Sequence, residues 1–214
     1  MLVRSRKELA ALLSNLEGYR CPKEKLEQWQ TPPEIAATML FEALIRGDIS
    51  GKKIIDLGTG TGILAIGAAL LSAKEVIGVD IDPEALEIAR RNLMKIEGIY
   101  GSLPIKFVCT DIREFDMKGD IVVMNPPFGL ERGSRHADIV FLEKAFSLAS
   151  KVYSLHHSTS RGRKFLIKYA QRYGFQADII GTFNFPLKAW HEKHRKPVKE
   201  IPVDFILFVM KTVK

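Results

Sequence analysis

Residues 53–62 read KIIDLGTGTG, a short apolar run that ends in an acid and then in glycines at alternate positions. Past Gly62 the chain turns apolar at once, from Ile63 to Leu71, as a buried helix does. A strand that passes through a glycine turn straight into a helix opens a parallel sheet, because a parallel neighbour can be reached only by a crossover. Working outward, the same alternation continues. EVIGVDI (75–81) is a second strand, and PEALEIARRNLMKI (83–96) is a helix with Pro83 in its first turn. IKFVCTD (105–111) and DIVVMN (120–125) are strands, 138–149 is a helix, and KVYSLHH (151–157) is a fifth strand. A basic amphipathic helix over 160–173 closes at Gly174. QADIIGTFNF (176–185) and VDFILFVMK (203–211) follow with no helix between them, so the last strand is expected to run antiparallel. Upstream, helices are expected over 6–18 and from Pro33 to Arg46. The expectation is an α/β fold with a seven-stranded, mostly parallel sheet and helices on both faces. Residues 1–50 should form a helical extension packed on the core, and 51–214 one compact unit.

Composition agrees with a globular protein. The 214 residues are 46% hydrophobic and 27% charged, which argues against disorder. The longest apolar stretch, 63–73, is too short to cross a bilayer, and MLVRSRKELAALLSNLEG lacks the apolar core of a secretory signal. A soluble, cytoplasmic protein is expected. Cys21 and Cys109 form no CxxC pair and are expected to be buried small hydrophobes. No Cys and His cluster has zinc-ligand spacing, so no metal is expected. The net charge of +7 is concentrated: Ser160–Lys199 holds ten Lys or Arg against two acids, and the rest of the chain is close to neutral. Such a concentration favours a polyanionic partner.

Four places carry chemistry. The loop Asp56-Leu57-Gly58-Thr59-Gly60-Thr61-Gly62 has GxGxG spacing, departing from the dinucleotide fingerprint GxGxxG, and lets a ligand approach the backbone closely. Asp80 ends the second strand about twenty residues beyond Gly58, where a carboxylate holds a ribose diol. Asp82 competes for that role but precedes Pro83 and reads as a helix cap. Asp111 follows the third strand. The fourth strand ends in Asn125-Pro126-Pro127-Phe128, at the sheet edge where open α/β sheets bind ligands. The tetrapeptide resembles motif IV of the amino-methyltransferases, which implies a planar amine such as that of adenine as acceptor; that amine delocalises its lone pair into the ring and is a poor nucleophile. Acceptors at the Asn125 side-chain carbonyl and the Pro126 backbone carbonyl would bond its two N–H groups and favour a tetrahedral nitrogen. Proline aims the carbonyl by fixing φ, and Phe128 offers an aromatic face to an unstacked base. Transfer from a sulfonium leaves a neutral thioether, so positioning and polarisation suffice.

Seven strands with a terminal antiparallel hairpin is the arrangement of the Rossmann-like class I methyltransferases, whose motif I and motif IV the glycine loop and NPPF resemble. EQWQTPPEIAATML (27–40), DLGTGTGILAIGAA (56–69), GVDIDPEALEIARRN (78–92), VVMNPPFG (122–129) and VYSLHHSTSR (152–161) narrow this further. Together they resemble the ribosomal-RNA N6-adenine methyltransferases typified by methyltransferase-like protein five. The resemblance implies S-adenosylmethionine (SAM) as cofactor, S-adenosylhomocysteine as product and small-subunit ribosomal RNA as substrate. It implies cofactor contacts at Gln28, Thr31, Asp56, Gly58, Gly60, Thr61, Ile63, Asp80, Asp111 and Ile112. It makes Asn125, Pro126, Pro127 and Phe128 the catalytic tetrapeptide. A small zinc-containing activator protein that adds to a sheet edge is implied as a partner; the sequence itself does not show one.

For the RNA, LKAWHEKHRKPVK (187–199) joins the last two strands and offers Lys188, Trp190, His191, Lys193, His194, Arg195 and Lys196 as a basic and aromatic clamp. His156, His157 and Arg161, at the end of the fifth strand, are expected at the same edge. Alternatives remain open on sequence alone. The acceptor can be guanine N2, DNA adenine or a protein glutamine, and a non-catalytic assembly factor is a further reading. The GxGxG spacing argues against a nicotinamide dehydrogenase.

Overall fold

In the computed structural model, which describes residues 2–131, 136–187 and 199–211, the apolar runs become strands β1 (Lys53–Leu57), β2 (Glu75–Asp80), β3 (Ile105–Cys109), β4 (Ile121–Met124) and β5 (Lys151–His157). The long final strands are β6 (Phe175–Leu187) and β7 (Lys199–Met210). The sheet order is β3-β2-β1-β4-β5-β7-β6. β1 to β5 pair in parallel, and β7 inserts antiparallel between β5 and β6. The expected antiparallel last strand is therefore observed. β1 and β4 are buried on both faces, which is why they read as unbroken apolar runs.

The helices are α1 (Arg6–Leu13), α2 (Pro33–Ile45), α3 (Ile63–Leu70), α4 (Pro83–Tyr100), α5 (Ala137–Leu148) and α6 (Ser160–Arg172). Their starts follow side-chain chemistry. Ser5, Asp82 and Thr159 each accept a backbone N–H of the first turn, and Pro33 and Pro83 occupy positions where no N–H is needed. Two ends differ from the expectation by more than one residue. α1 stops at Leu13 rather than at Gly18, because Glu17 turns away to bond Asn92 on α4. α4 runs past Ile96 to Tyr100, and Gly101, at φ +80°, ends it.

The sheet separates two apolar cores. Leu9, Leu13, Leu40, Ile54 and Ile66 lie in the core beneath α1, α2 and α3. Ile55, Leu57, Leu142 and Leu166 lie in the one beneath α5 and α6. Strand order reverses between β1 and β4, which stay paired to their last residues; the chain segments leaving them go to opposite faces of the sheet and leave a crevice at that rim.

Among the described residues no helix is long and apolar enough to cross a membrane. Cys21 and Cys109 are both exposed free thiols, contrary to the expected burial. Cys109 lies on β3, an edge strand with little packed over it, and the local apolar pattern alone does not distinguish an edge from a centre.

Candidate active site

The crevice is a cavity of about 490 Å³ built around the end of β1. Gly58 and Thr59 donate their N–H groups to Val79 O at 2.8 and 2.9 Å, folding the glycine loop onto β2. A Cβ on Gly60 would stand 2.1 Å from the Tyr19 hydroxyl oxygen, and one on Gly58 would stand 2.8 Å from Phe141. Only bare backbone fits under those rings. Asp56 is 1% exposed; its Oδ2 accepts from Thr59 Oγ1 at 2.6 Å and from Ala65 N at 3.0 Å. Burial pushes its pKa up to about 7 against the pull of those two donors.

The two acids after β2 divide their work. Asp80 lines the cavity, and its carboxylate accepts from Gly60 N at 2.8 Å and Asp82 N at 2.9 Å. Burial raises its pKa despite these bonds. Asp82 instead caps α4 and takes Lys23 Nζ at 2.7 Å and Gln28 Nε2 at 2.6 Å. Burial acts to raise the Asp82 pKa, but these donors outweigh it and hold the carboxyl below its usual range. Asp111 also lines the cavity, ionised beside Arg113, whose hydrogen bonds lower its pKa.

At the opposite wall stands Asn125. Its Nδ2 donates to Thr31 Oγ1 at 2.9 Å, which turns the amide and leaves Oδ1 buried with no hydrogen-bond partner among the described residues. Glu27 clips the same N-terminal segment down, accepting from Gly129 N at 3.0 Å and Glu131 N at 2.8 Å just past the tetrapeptide. Residues 23–31 thus span the crevice from Asp82 to Gly129.

Comparisons with known proteins decide what this geometry belongs to. The family model described as ribosomal protein L11 methyltransferase (PrmA) matches residues 36–126, less than half of the chain. The rRNA N(6)-adenosine-methyltransferase METTL5 of Danio rerio is 38% identical, covering 94% of this chain and 97% of its own length. That of Drosophila melanogaster is 34% identical, covering 96% and 97%. A crystal structure of a Pyrococcus horikoshii protein, described as a candidate RNA methyltransferase, superposes with a TM-score of 0.86 at 41% identity over 96% of each chain. The chain belongs to the METTL5 family of rRNA N(6)-adenosine methyltransferases.

As a METTL5-family member it is a SAM-dependent methyltransferase with the class I fold. The crevice suits that cofactor on its own evidence. Asp56 Oδ1 is buried with no partner among the described residues, as a site for an ammonium group requires, and Asp80 offers a carboxylate for a diol. The glycine loop leaves room that any side chain would fill. Among the described residues no cluster of three metal-binding side chains occurs.

Of the residues expected for cofactor and catalysis, Gln28, Thr31, Asp56, Gly58, Thr61, Ile63, Asp80, Asp111, Ile112, Asn125 and Pro127 line this one cavity. Gly60 lies beneath Tyr19, and Pro126 is buried. Phe128 differs from the expectation: it is 7% exposed and packs edge-on against Phe185, their centroids 5.2 Å apart. It lines a smaller neighbouring pocket with Gly129, His136 and Asp138. His156 needs correction. It is 1% exposed, its Nε2 lies 2.9 Å from Ser154 Oγ, and its Nδ1 is 3.7 Å from Asp138, so its ring supports the sheet rather than meeting RNA. β5 is buried on both faces from Val152 to His156, so either facing encloses the ring. Arg161 is exposed at the start of α6. Lys188, Trp190, His191, Lys193, His194, Arg195 and Lys196 lie outside the described residues. Tyr19, Glu27 and Phe141 also build the site and carried no local signal, because their partners are distant in sequence, and His136 lines it as well.

Proposed function

We propose that this enzyme methylates the N6 amine of an adenine in small-subunit ribosomal RNA. The observation that carries the proposal is Asn125: a buried amide oxygen without a partner among the described residues, its nitrogen held by Thr31, lining the crevice. That oxygen accepts one N–H of the amine and the Pro126 carbonyl accepts the other. Both bonds strengthen as nitrogen becomes tetrahedral, which is where stabilisation accelerates the step. When bound, SAM supplies an activated methyl group. Asp80 holds its ribose, Asp111 its adenine edge and Asp56 its amino group, so that the donor is oriented against Asn125. The names and near-complete coverage of the METTL5 relatives support adenine N6 as the acceptor. The likeness to ribosomal protein L11 methyltransferase runs from Ala36 through the glycine loop to Asn125 and Pro126, so it supports the donor site and an amine acceptor without choosing adenine.

A cytoplasmic location, a partner of the small zinc-containing activator type and an N-terminal extension (1–50) serving as a roof for the 51–214 unit belong to the same proposal. The roof is supported by residues 23–31 spanning the crevice. The test is incubation of the purified protein with SAM and small-subunit RNA, with and without the activator, followed by digestion to nucleosides. N6-methyladenosine is the expected product. Methylated guanine, or no methylated nucleoside under either condition, overturns the assignment.

A further inference from the structure

Helix α6 carries a second feature that cofactor binding does not use. Its sequence, SRGRKFLIKYAQR, contains five basic residues and no acid. Arg163 is neutralised, donating through both Nε and Nη2 to Asp204 at 2.7 Å. Arg161, Lys164, Lys168 and Arg172 are exposed, and no carboxylate pairs with any of them among the described residues. Beside them runs an aromatic row. Phe165 stacks on Tyr169 at 5.3 Å and Tyr169 lies 5.4 Å from Tyr173, with Arg172 over the Tyr169 ring.

The spacing makes two parallel rows. Residues 165, 169 and 173 recur at every fourth position, as do 164, 168 and 172, so each row steps about 6 Å along the helix. Burial alone does not explain the rings. Phe165 is 46% and Tyr173 44% exposed; Tyr169 joins Leu166 and Ala170 against the core and Tyr173 lies 5.7 Å from Phe146, which leaves the outer faces of Phe165 and Tyr173 open. Glu143 on α5 accepts from both tyrosine hydroxyls, which fixes their rings on the surface. Position matters equally. β5 lies beside β4 with Ser154 opposite Met124, and α6 starts three residues after β5 ends. The helix therefore leaves the same rim on which Asn125 stands and carries its two rows down the flank.

The geometry points to α6 as a docking surface for a single-stranded segment of the substrate RNA, with phosphates on the Lys164, Lys168 and Arg172 row and bases against Phe165 and Tyr173. Rings beside unpaired cations suit an unstacked strand, which offers both a charged backbone and open base faces. An acidic protein surface would use the cations and leave the rings unexplained. The inference rests on the RNA-methyltransferase reading and extends it from the target amine to the flanking nucleotides.

The test uses the full-length protein and a fluorescein-labelled single-stranded RNA, titrated by anisotropy over a series of KCl concentrations. K164Q/K168Q/R172Q should flatten the plot of log affinity against log salt by about 2, at roughly 0.7 per phosphate contact, with roughly 10- to 100-fold weaker binding at low salt. F165A should weaken binding roughly 5- to 150-fold with little change in slope. SAM affinity and melting temperature report that both variants are folded, and neither should change. Wild-type affinity and slope in both variants overturn the inference, as does weakening that tracks a loss of SAM affinity. A nucleoside assay on the wild-type protein tests the underlying reading separately. No methylated adenine there sinks that reading, while the anisotropy still decides whether α6 holds RNA.

Discussion

Asn125 has one nitrogen committed and one oxygen uncommitted, and that asymmetry is set by a single hydroxyl. Thr31 Oγ1 takes the Nδ2 proton at 2.9 Å, which leaves Oδ1 as the end of the amide with no hydrogen-bond partner among the described residues. Asn125→Ala should leave SAM affinity intact and lower kcat roughly 10- to 150-fold, the equivalent of roughly 1.5–3 kcal/mol in the transition state. Thr31→Val should lower kcat by a smaller factor, roughly 5-fold for about 1 kcal/mol, with Thr31→Ser restoring most of it. Steady-state kinetics with a saturating cofactor reads both. Asp56 makes a prediction in pH. With its pKa raised to about 7, the buried carboxyl is largely neutral in mildly acidic buffer, and an ammonium group favours its ionised form. SAM affinity should therefore rise with pH between about 6 and 8, and binding near the lower end should release a proton. Calorimetry in two buffers of different ionisation enthalpy measures that release; proton uptake would contradict it. At this scale the sequence read Asp82 as the cap of α4, as observed, because a residue before Pro83 is a cap by position. It misplaced His156, because facing depends on which neighbours cover the strand.

Elements bring these residues to one rim, and the turn between β1 and α3 is the tightest of them. Gly60 has φ +55° and lies directly under the Tyr19 hydroxyl, so a methyl group there is strained by its backbone and blocked by a ring. Gly60→Ala should weaken SAM binding by roughly 10-fold or more, since left-handed backbone alone costs about 1–2 kcal/mol for a residue with a Cβ. Adding Tyr19→Phe removes the atom at 2.1 Å and leaves ring carbon at 3.0 Å, so it should restore part of the affinity and not all of it. Isothermal titration of the single and double variants checks the order. The glycine spacing was plain in the sequence. What Gly60 had to make room for was not, because Tyr19 arrives from a segment without regular structure.

On the scale of the whole molecule, the N-terminal helices share the core beneath α3. Leu13 is 1% exposed, and its Cδ1 lies 3.5 Å from where a Cβ on Gly67 would stand. Leu13→Ala should destabilise the chain by about 2–5 kcal/mol. That lowers the melting temperature by roughly 4–20 °C for a chain of this size. If residues 1–50 unfold with the rest, circular dichroism and tryptophan fluorescence will report one coincident transition. Trp29 in the roof segment makes that comparison direct. Two separate transitions would mean that the extension is an independent unit.

The strands, the glycine turn, Asp80 and NPPF were determined by the sequence alone, because each depends on local propensity and on spacing within a few residues. Even the antiparallel direction of β7 followed from the missing crossover. The tertiary structure alone decided that Glu27 clips residues 23–31 over the crevice, that Thr31 turns Asn125, and that Phe128 packs on Phe185. It also decided that an exposed ladder of rings flanks the cations of α6. Those contacts join residues far apart along the chain, and their energies exist only once folding has closed the intervening loops.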